Sequence, residues 1–283
     1  MLKRSLTCAL AGLLLWPACV TTDRALTRQV SVESQKSLAA GDFEKALSGF
    51  REAAKKNPGG PELRANYVRT VEAIKQAADR ALGQRDYARA GGIFRILLEN
   101  YGDFDAFATK LTFKKAHLET ALKECRITAV DNAAAQAVKA GNFVKAIDLF
   151  LSALKENPGD AELTVKYRGT VDEIKAIADN AFVAEDFARA GKVNALLLKN
   201  FASFEGLKPP VVFDREALNG TVAACRERLT KTGLAEYRKG NLAKAIAVWE
   251  DLLSFDPDNA EIRKAVTTAK TQLDGIKKKQ SVG

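Results

Sequence analysis

The sequence predicts an all-α fold, a solenoid of stacked helical hairpins with long connecting helices, and three observations carry that prediction. Alanine, leucine, lysine and glutamate dominate, while aromatic residues make up 7% of the chain, a balance that favours helix over strand. Apolar residues recur at steps of three and four, as in Phe43, Ala46, Leu47, Phe50 and Ala53, which lays one apolar face along a helix. Whole stretches then reappear at an offset of 100 residues, the mark of a repeated supersecondary unit. With 283 residues, 47% of them hydrophobic and only seven prolines, the chain is long enough to bury a substantial core.

The first residues read as an export segment. Lys3 and Arg4 precede an apolar run from Leu6 to Trp16 that is too short to span a bilayer and is followed by polar residues. Its end, Leu15-Trp16-Pro17-Ala18-Cys19, resembles the bacterial lipoprotein signal, in which a small residue precedes a cysteine that is acylated and becomes the first residue. The resemblance implies lipidation at Cys19. Trp16 and Pro17 depart from that signal, and ordinary signal-peptide cleavage is the alternative. Acyl chains would anchor the protein through about 0.8 kcal/mol per buried methylene, leaving the fold outside the membrane. Val20 after the cysteine, where an aspartate is absent, implies by the same resemblance the outer membrane, with the fold facing the periplasm; without acylation the protein would be soluble in the periplasm.

The repeat pairs Gly41-Asp42-Phe43-Glu44-Lys45-Ala46-Leu47 with Gly141-Asn142-Phe143-Val144-Lys145-Ala146-Ile147, and Tyr67 with Tyr167. It also pairs Asp86-Tyr87-Ala88-Arg89-Ala90-Gly91 with Asp186-Phe187-Ala188-Arg189-Ala190-Gly191, and Cys125-Arg126 with Cys225-Arg226. A third copy starts one residue short at Gly240-Asn241-Leu242 and stops after one hairpin. These features divide the chain into an export signal (1–18), a short tether (19–26), a first unit (27–126), a second unit (127–226), a final single hairpin (227–259), and a capping helix with a basic tail (260–283). The cysteines share one context in the repeat, which points to a small helix-packing residue used twice; a disulfide would need Cα atoms within about 7 Å.

Within each unit the pattern resembles the tetratricopeptide repeat, a helix-turn-helix with glycine at the turn, alternating aromatics and alanines, and a closing proline. The first hairpin carries it as Gly41, Phe43, Ala46, Phe50, Ala53 and Pro58, and the third as Gly141, Phe143, Ala146, Phe150, Ala153 and Pro158. The last carries Gly240, Leu242, Ala245, Trp249, Leu252 and Pro257. Two intervening hairpins depart further: Tyr87, Ala90, Phe94 and Leu97 in one, Phe187, Ala190 and Leu197 in the other, with Arg85 and Glu185 in place of glycine and Asn194 in place of an aromatic. The departure at 194 predicts weaker packing in the fourth hairpin.

The same residues give this hairpin without the family. Small Ala46 and Ala53 beside bulky Phe50 let a partner helix approach, glycine supplies the permissive turn, and Asp42 or Asn142 can cap the next helix. An apolar stripe left open on one hairpin closes against the next. The turn residues Phe43, Tyr87, Phe143, Phe187 and Leu242 are spaced by 44, 56, 44 and 55 residues, longer than a plain 34-residue repeat, which predicts added helix at each junction and an irregular superhelix. Long helices are expected from about Glu62 to Leu82, Phe113 to Ala140 and Asp214 to Lys239. Lys208-Pro209-Pro210-Val211-Val212 is a stiff extended connector, matched by 108–112 in the first unit. Ile262, Val266, Leu273 and Ile276 share one face of the cap, with lysines on the other.

Catalytic chemistry is not predicted. His117 is the only histidine, so a multi-histidine metal site is excluded, and it reads as a solvated helix residue. No haem-attachment pattern or phosphate-cradling loop is present. Gly91-Gly92 reads as a close packing point, and the frequent carboxylates alternate with lysine and arginine as on a solvated surface. The formal charge of +9 falls to about +7 once Lys3 and Arg4 are removed, with no basic-aromatic interleaving to suggest nucleic acid. No cofactor is expected.

The resemblance implies a protein-binding groove along the first helices of successive hairpins. Its positions map to Arg28, Ser31 and Gln35; to Glu72, Lys75 and Asp79; to Asp131, Ala135 and Lys139; to Asp172, Lys175 and Asp179; and to Thr230, Leu234 and Arg238. The recurring Lys75/Asp79 and Lys175/Asp179 pairs read equally well as partner contacts or as intrahelical ion pairs. The expected role is a non-catalytic interaction scaffold for envelope proteins; the alternative is a structural assembly subunit of an envelope secretion or polysaccharide-export machine.

Overall fold

The computed structural model describes residues 16–56 and 60–282, with side chains from residue 24 onward apart from 279, 281 and 282. Among them the chain is all-α. Five hairpins follow one another: α1 (Trp16–Ala40) with α2 (Phe43–Lys56), α3 (Pro61–Gly83) with α4 (Tyr87–Glu99), α6 (Lys115–Lys139) with α7 (Phe143–Glu156), α8 (Ala161–Val183) with α9 (Phe187–Lys199), and α10 (Arg215–Arg238) with α11 (Leu242–Leu253). A short helix α5 (Tyr101–Phe104) and a 3-10 turn (Asp105–Lys110) separate the second and third hairpins, and α12 (Ala260–Val282) packs on α11. The three long helices expected from the sequence are α3, α6 and α10. The backbone through the expected tether is already helical from Trp16, while the rest of the export segment, the Cys19 side chain and Pro58 lie outside the described residues.

The chain forms two compact units, 1–129 and 130–283, whose boundary falls inside α6. In the first, α1, α2, α3 and α4 enclose Phe43, Leu47, Phe50, Tyr67, Val71, Ile74, Phe94 and Leu97. Phe50 stacks on Tyr67 with ring centroids 5.3 Å apart, and Phe150 stacks on Tyr167 at 5.7 Å in the second unit. Ala46, Ala90, Ala146, Ala190 and Ala245 have no exposed surface, so each marks a point where helices approach with only a methyl between them. Tyr87 and Phe187 at the second turns are half-buried, while Pro158 and Pro257 sit exposed in the closing loops. Cys125 and Cys225 are buried free thiols, and burial pushes Cys225 up to about 11.

The turn inside each hairpin needs one residue in the left-handed region. Gly41, Gly141 and Gly240 supply it at φ near +77°, +76° and +79°. Arg85 and Glu185 adopt the same backbone at φ +61° and +62°, so the glycine-free hairpins keep the turn and accept the strain of a Cβ there. Arg85→Gly and Glu185→Gly should each raise stability by about 1 kcal/mol, read as a higher thermal midpoint. Unchanged midpoints would mean that the side chains compensate. Asp42, Asp86 and Asp186 cap the following helices through Lys45, Arg89 and Arg189 backbone N–H groups. Asn142 makes no side-chain cap, and Asn241 turns back to donate to Glu236 Oε2 at 2.8 Å.

Packing in the fourth hairpin is kept by a residue outside the repeat pattern. Asn194, where Phe94 stands in the first unit, is fully buried and donates to the Ala190 carbonyl at 2.9 Å, leaving its Oδ1 without a partner. One turn earlier, the ring of Phe255, in the loop after α11, lies against Gly191 so closely that a Cβ there would fall 2.6 Å from ring carbons. In the first unit Gly91 faces the Cys125 Cβ instead, at 3.3 Å from an added Cβ, whereas Gly92 is open. Phe255 thus packs against this hairpin at Gly191, while Asn194 keeps one orphaned amide oxygen.

The extra residues between hairpins do more than lengthen helices. Residues 100–114 in the first unit hold α5, the 3-10 turn and a bent stretch 111–113 that opens on extended backbone at Leu111 (φ −87°, ψ 146°). This connector lies along α3: Phe104 and Phe107 meet Tyr67 edge-on at 6.3 and 6.1 Å, and Arg64 lies 5.9 Å above the Phe107 ring. In the second unit α10 packs against α9 and α11.

Candidate functional site

The predicted groove positions separate into open and occupied ones. Around α1 and α3, Arg24, Arg28, Ser31, Val32, Gln35, Glu62 and Asn66 line a concavity of about 570 Å³, and Ser31, Gln35, Glu62, Asn66, Arg69 and Thr70 continue into an adjoining one of about 480 Å³. All three positions assigned to the first hairpin are there. Asn66 Nδ2 donates to Ser31 Oγ at 2.9 Å, Ser31 Oγ donates to the Thr27 carbonyl at 2.7 Å, and Arg69 donates to Asn66 Oδ1 at 3.2 Å. Beneath them the buried Ser34 and Thr70 hydroxyls lie 3.4 Å apart. Three guanidinium groups and one carboxylate stand among neutral amides and hydroxyls, with Val32, Leu38, Phe50 and Ala73 completing the lining, so the groove is mixed in polarity with a cationic excess suited to carbonyls and anionic side chains.

The second-unit counterpart is bridged. Asp131 and Lys166 stand at the positions of Ser31 and Asn66 and form an ion pair at 2.7 Å between α6 and α8, which accounts for the raised Lys166 pKa through hydrogen bond and charge. Ala135 and Lys139 further along α6 are exposed. On α10, Leu234 is 39% exposed, Arg238 is exposed and Thr230 is half-buried.

Glu72 and Asp172 are taken by the chain itself. Glu72 accepts from the Thr112 backbone N–H at 2.5 Å and from its hydroxyl at 2.7 Å, while Asp172 accepts from the Val212 N–H at 3.2 Å and from Arg168 Nε at 2.9 Å. Lys75 pairs with Asp79 at 2.7 Å and sits 6.0 Å from both the Phe94 and Phe113 rings. Lys175 pairs with Asp179 and sits 5.9 Å from the Phe213 ring.

Lys175 is only 8% exposed, so its placement in an accessible groove is corrected: its side chain is buried and its ammonium, facing the Phe213 ring, serves an intrahelical ion pair. Lys75 has the same surroundings with more solvent. The connector covers this part of the α8 face, while Glu72, Lys75 and Asp172 are half-exposed and Asp79 and Asp179 are exposed. Lys175→Glu should accordingly lower stability by about 2 kcal/mol through lost packing, lost cation-π attraction and repulsion from Asp179. An unchanged melting curve would return Lys175 to the groove.

Other candidates resolve locally. His117 is exposed and its Nδ1 accepts from the Lys114 backbone N–H at 3.3 Å, a helix-start contact. Among the described residues no group of three or more His, Cys, Asp or Glu side chains could hold a metal ion, and no helix is long and apolar enough to cross a membrane. Sequence reasoning missed Asn66, Arg69, Phe113, Phe213 and Phe255. Asn66 and Arg69 follow from helical spacing, one and two turns beyond Glu62, while the phenylalanines have no signal in the hairpin motif.

No protein-family model matches the chain. No curated protein matches it either. Among solved structures, the TPR domain of P58(IPK) aligns over 86% of this chain and 78% of its own length, at 15% identity and a TM-score of 0.19. A score that low carries no weight, and the hairpin repeat stands on the turns, stacked rings and buried alanines of this chain.

Proposed function

We propose that the protein is a non-catalytic interaction scaffold of the bacterial cell envelope that takes an extended segment of another protein into the groove between α1 and α3. The observation that carries this reading is the coincidence of Arg28, Ser31 and Gln35 with the concavities lined further by Glu62, Asn66 and Arg69. An extended peptide offers carbonyls to the amides and guanidinium groups, and acidic side chains suit the excess of arginine. The export segment and Cys19 support placement at the outer membrane facing the periplasm, held by acyl chains. Crosslinking in intact envelopes followed by mass spectrometry would supply the partner. Combined Arg28→Glu and Gln35→Ala changes should then weaken its affinity about tenfold or more, about 1.4 kcal/mol, without altering the helical signal. Reversal of Lys277 and Lys278, exposed on α12, is the control for general charge attraction, and equal losses in both variants would remove the groove.

The assembly-subunit alternative has its own support in an apolar concavity of about 650 Å³ on the second helices of the second unit, lined by Phe143, Val144, Leu149 and Leu196, with Val144 54% exposed. A permanent complex burying that surface, with α1 and α3 left open, would favour assembly over capture.

A further inference from the structure

The connectors that cover α3 and α8 make the same contacts with different strength. At both, a backbone N–H one residue before a phenylalanine donates to a carboxylate, Thr112 to Glu72 and Val212 to Asp172, and the phenylalanine ring then covers a lysine one turn further along the helix. Each connector thus lays a short bent segment against the helix, Thr112 and Val212 both lying at bends, so the chain supplies its own ligand. The first-unit connector is held by two hydrogen bonds at 2.5 and 2.7 Å, and Phe113 is 4% exposed. The second-unit connector has one at 3.2 Å to a carboxylate that Arg168 also occupies, Val212 has no hydroxyl to add, and its side chain is 76% exposed. Phe213 is half-buried, resting against Phe204 at 5.9 Å between centroids.

We propose that the α8 face around Asp172 and Lys175 is a second peptide-binding site, latent because residues 211–213 occupy it, and that it accepts a short non-helical segment of a partner in which an aromatic residue follows a residue offering a free backbone N–H. The occupant is specified by the chain's own segment. Leu-Thr-Phe and Val-Val-Phe share only an apolar residue, a backbone N–H and the ring, so those three features define what the face recognises. A tethered occupant lowers apparent affinity by the fraction of time the face is free, and weakening its grip raises affinity by the same factor. The site is independent of the α1/α3 groove, so failure of one leaves the other standing.

The test uses the full chain and a fluorescent synthetic peptide reproducing residues 208–216. Phe213→Ala should bind the peptide at least about tenfold more tightly than the wild-type chain, and adding Asp172→Ala should reverse most of that gain. Equal binding to wild type and Phe213→Ala, or a gain indifferent to Asp172→Ala, overturns the proposal. Amide hydrogen exchange on the unmodified chain gives a reading free of any folding defect in the variants. After correction for intrinsic rates, the Val212 amide should exchange at least about tenfold faster than the Thr112 amide. A Val212 amide as protected as Thr112 also overturns it.

Discussion

Replacing Phe50 with alanine should destabilise the first unit by about 3–5 kcal/mol, and Phe150→Ala should do the same in the second. Phe50 is 1% exposed and Phe150 has no exposed surface, so each truncation deletes a whole buried ring. The loss includes the stacked contact with Tyr67 or Tyr167, worth about 0.5–1.5 kcal/mol beyond its area. The alanines on the same face, Ala46 and Ala53, are too small to fill the space, and the long helices α3 and α8 are pinned by other contacts along their length. A cavity therefore remains in place of a collapse. Since domain stability is of order 5–15 kcal/mol, each variant should show a large fall in denaturation midpoint, measured by circular dichroism in urea. Near-zero cost at both positions would mean that the inward face has been misassigned.

Gly233→Ala should be the second large effect, and its sign is opposite to that of the same substitution elsewhere. A Cβ at Gly233 in α10 would lie 2.2 Å from Trp249 Nε1 and 2.5 Å from Cδ1. Trp249 is 3% exposed and packed within the α10–α11–α12 cluster, so the indole cannot swing aside. Either the helices separate or the ring leaves its rotamer, an overpacking cost of about 3 kcal/mol that outweighs the gain in helix propensity. Gly169 in α8 has nothing within 4 Å of an added Cβ, and Gly169→Ala should stabilise by about 1 kcal/mol. Thermal midpoints moving in opposite directions would support this close approach; two increases would show that α10 and α11 stand further apart.

Those two sites mark what could be read from sequence. Phe50 and Phe150 were legible because a helix face has a period of 3.6 and the unit is written twice, so pattern and repeat point to the same buried side. The long helices were legible because no breaker interrupts them. Gly233 was not, since its reason is a tryptophan brought over it by the fold. Arg85 and Glu185 were misleading for a related cause: the turn demands a left-handed residue, and the chain meets that demand without the residue that signals it.

The sequence placed Arg28, Ser31 and Gln35 together on α1 and misjudged the exposure of Lys175 on α8. Arg28, Ser31 and Gln35, which the family resemblance implied for a groove, line the concavities around α1 and α3. Lys175 is buried, and Glu72 and Asp172 are engaged, by segments without periodicity, whose Thr112 and Val212 N–H groups donate to carboxylates 40 residues earlier. Phe255 escaped notice because it has no counterpart in the other repeats, where Lys56 and Glu156 occupy the equivalent position.

A photoreactive amino acid placed at Gln35, and separately at Lys55, exposed on α2 and outside the groove lining, tests capture between α1 and α3 most directly in intact envelopes. The predicted result is an adduct from Gln35, mapping to one extended segment of a partner protein and absent from Lys55. Equal adducts from both positions, or adducts from Lys55 alone, would contradict it.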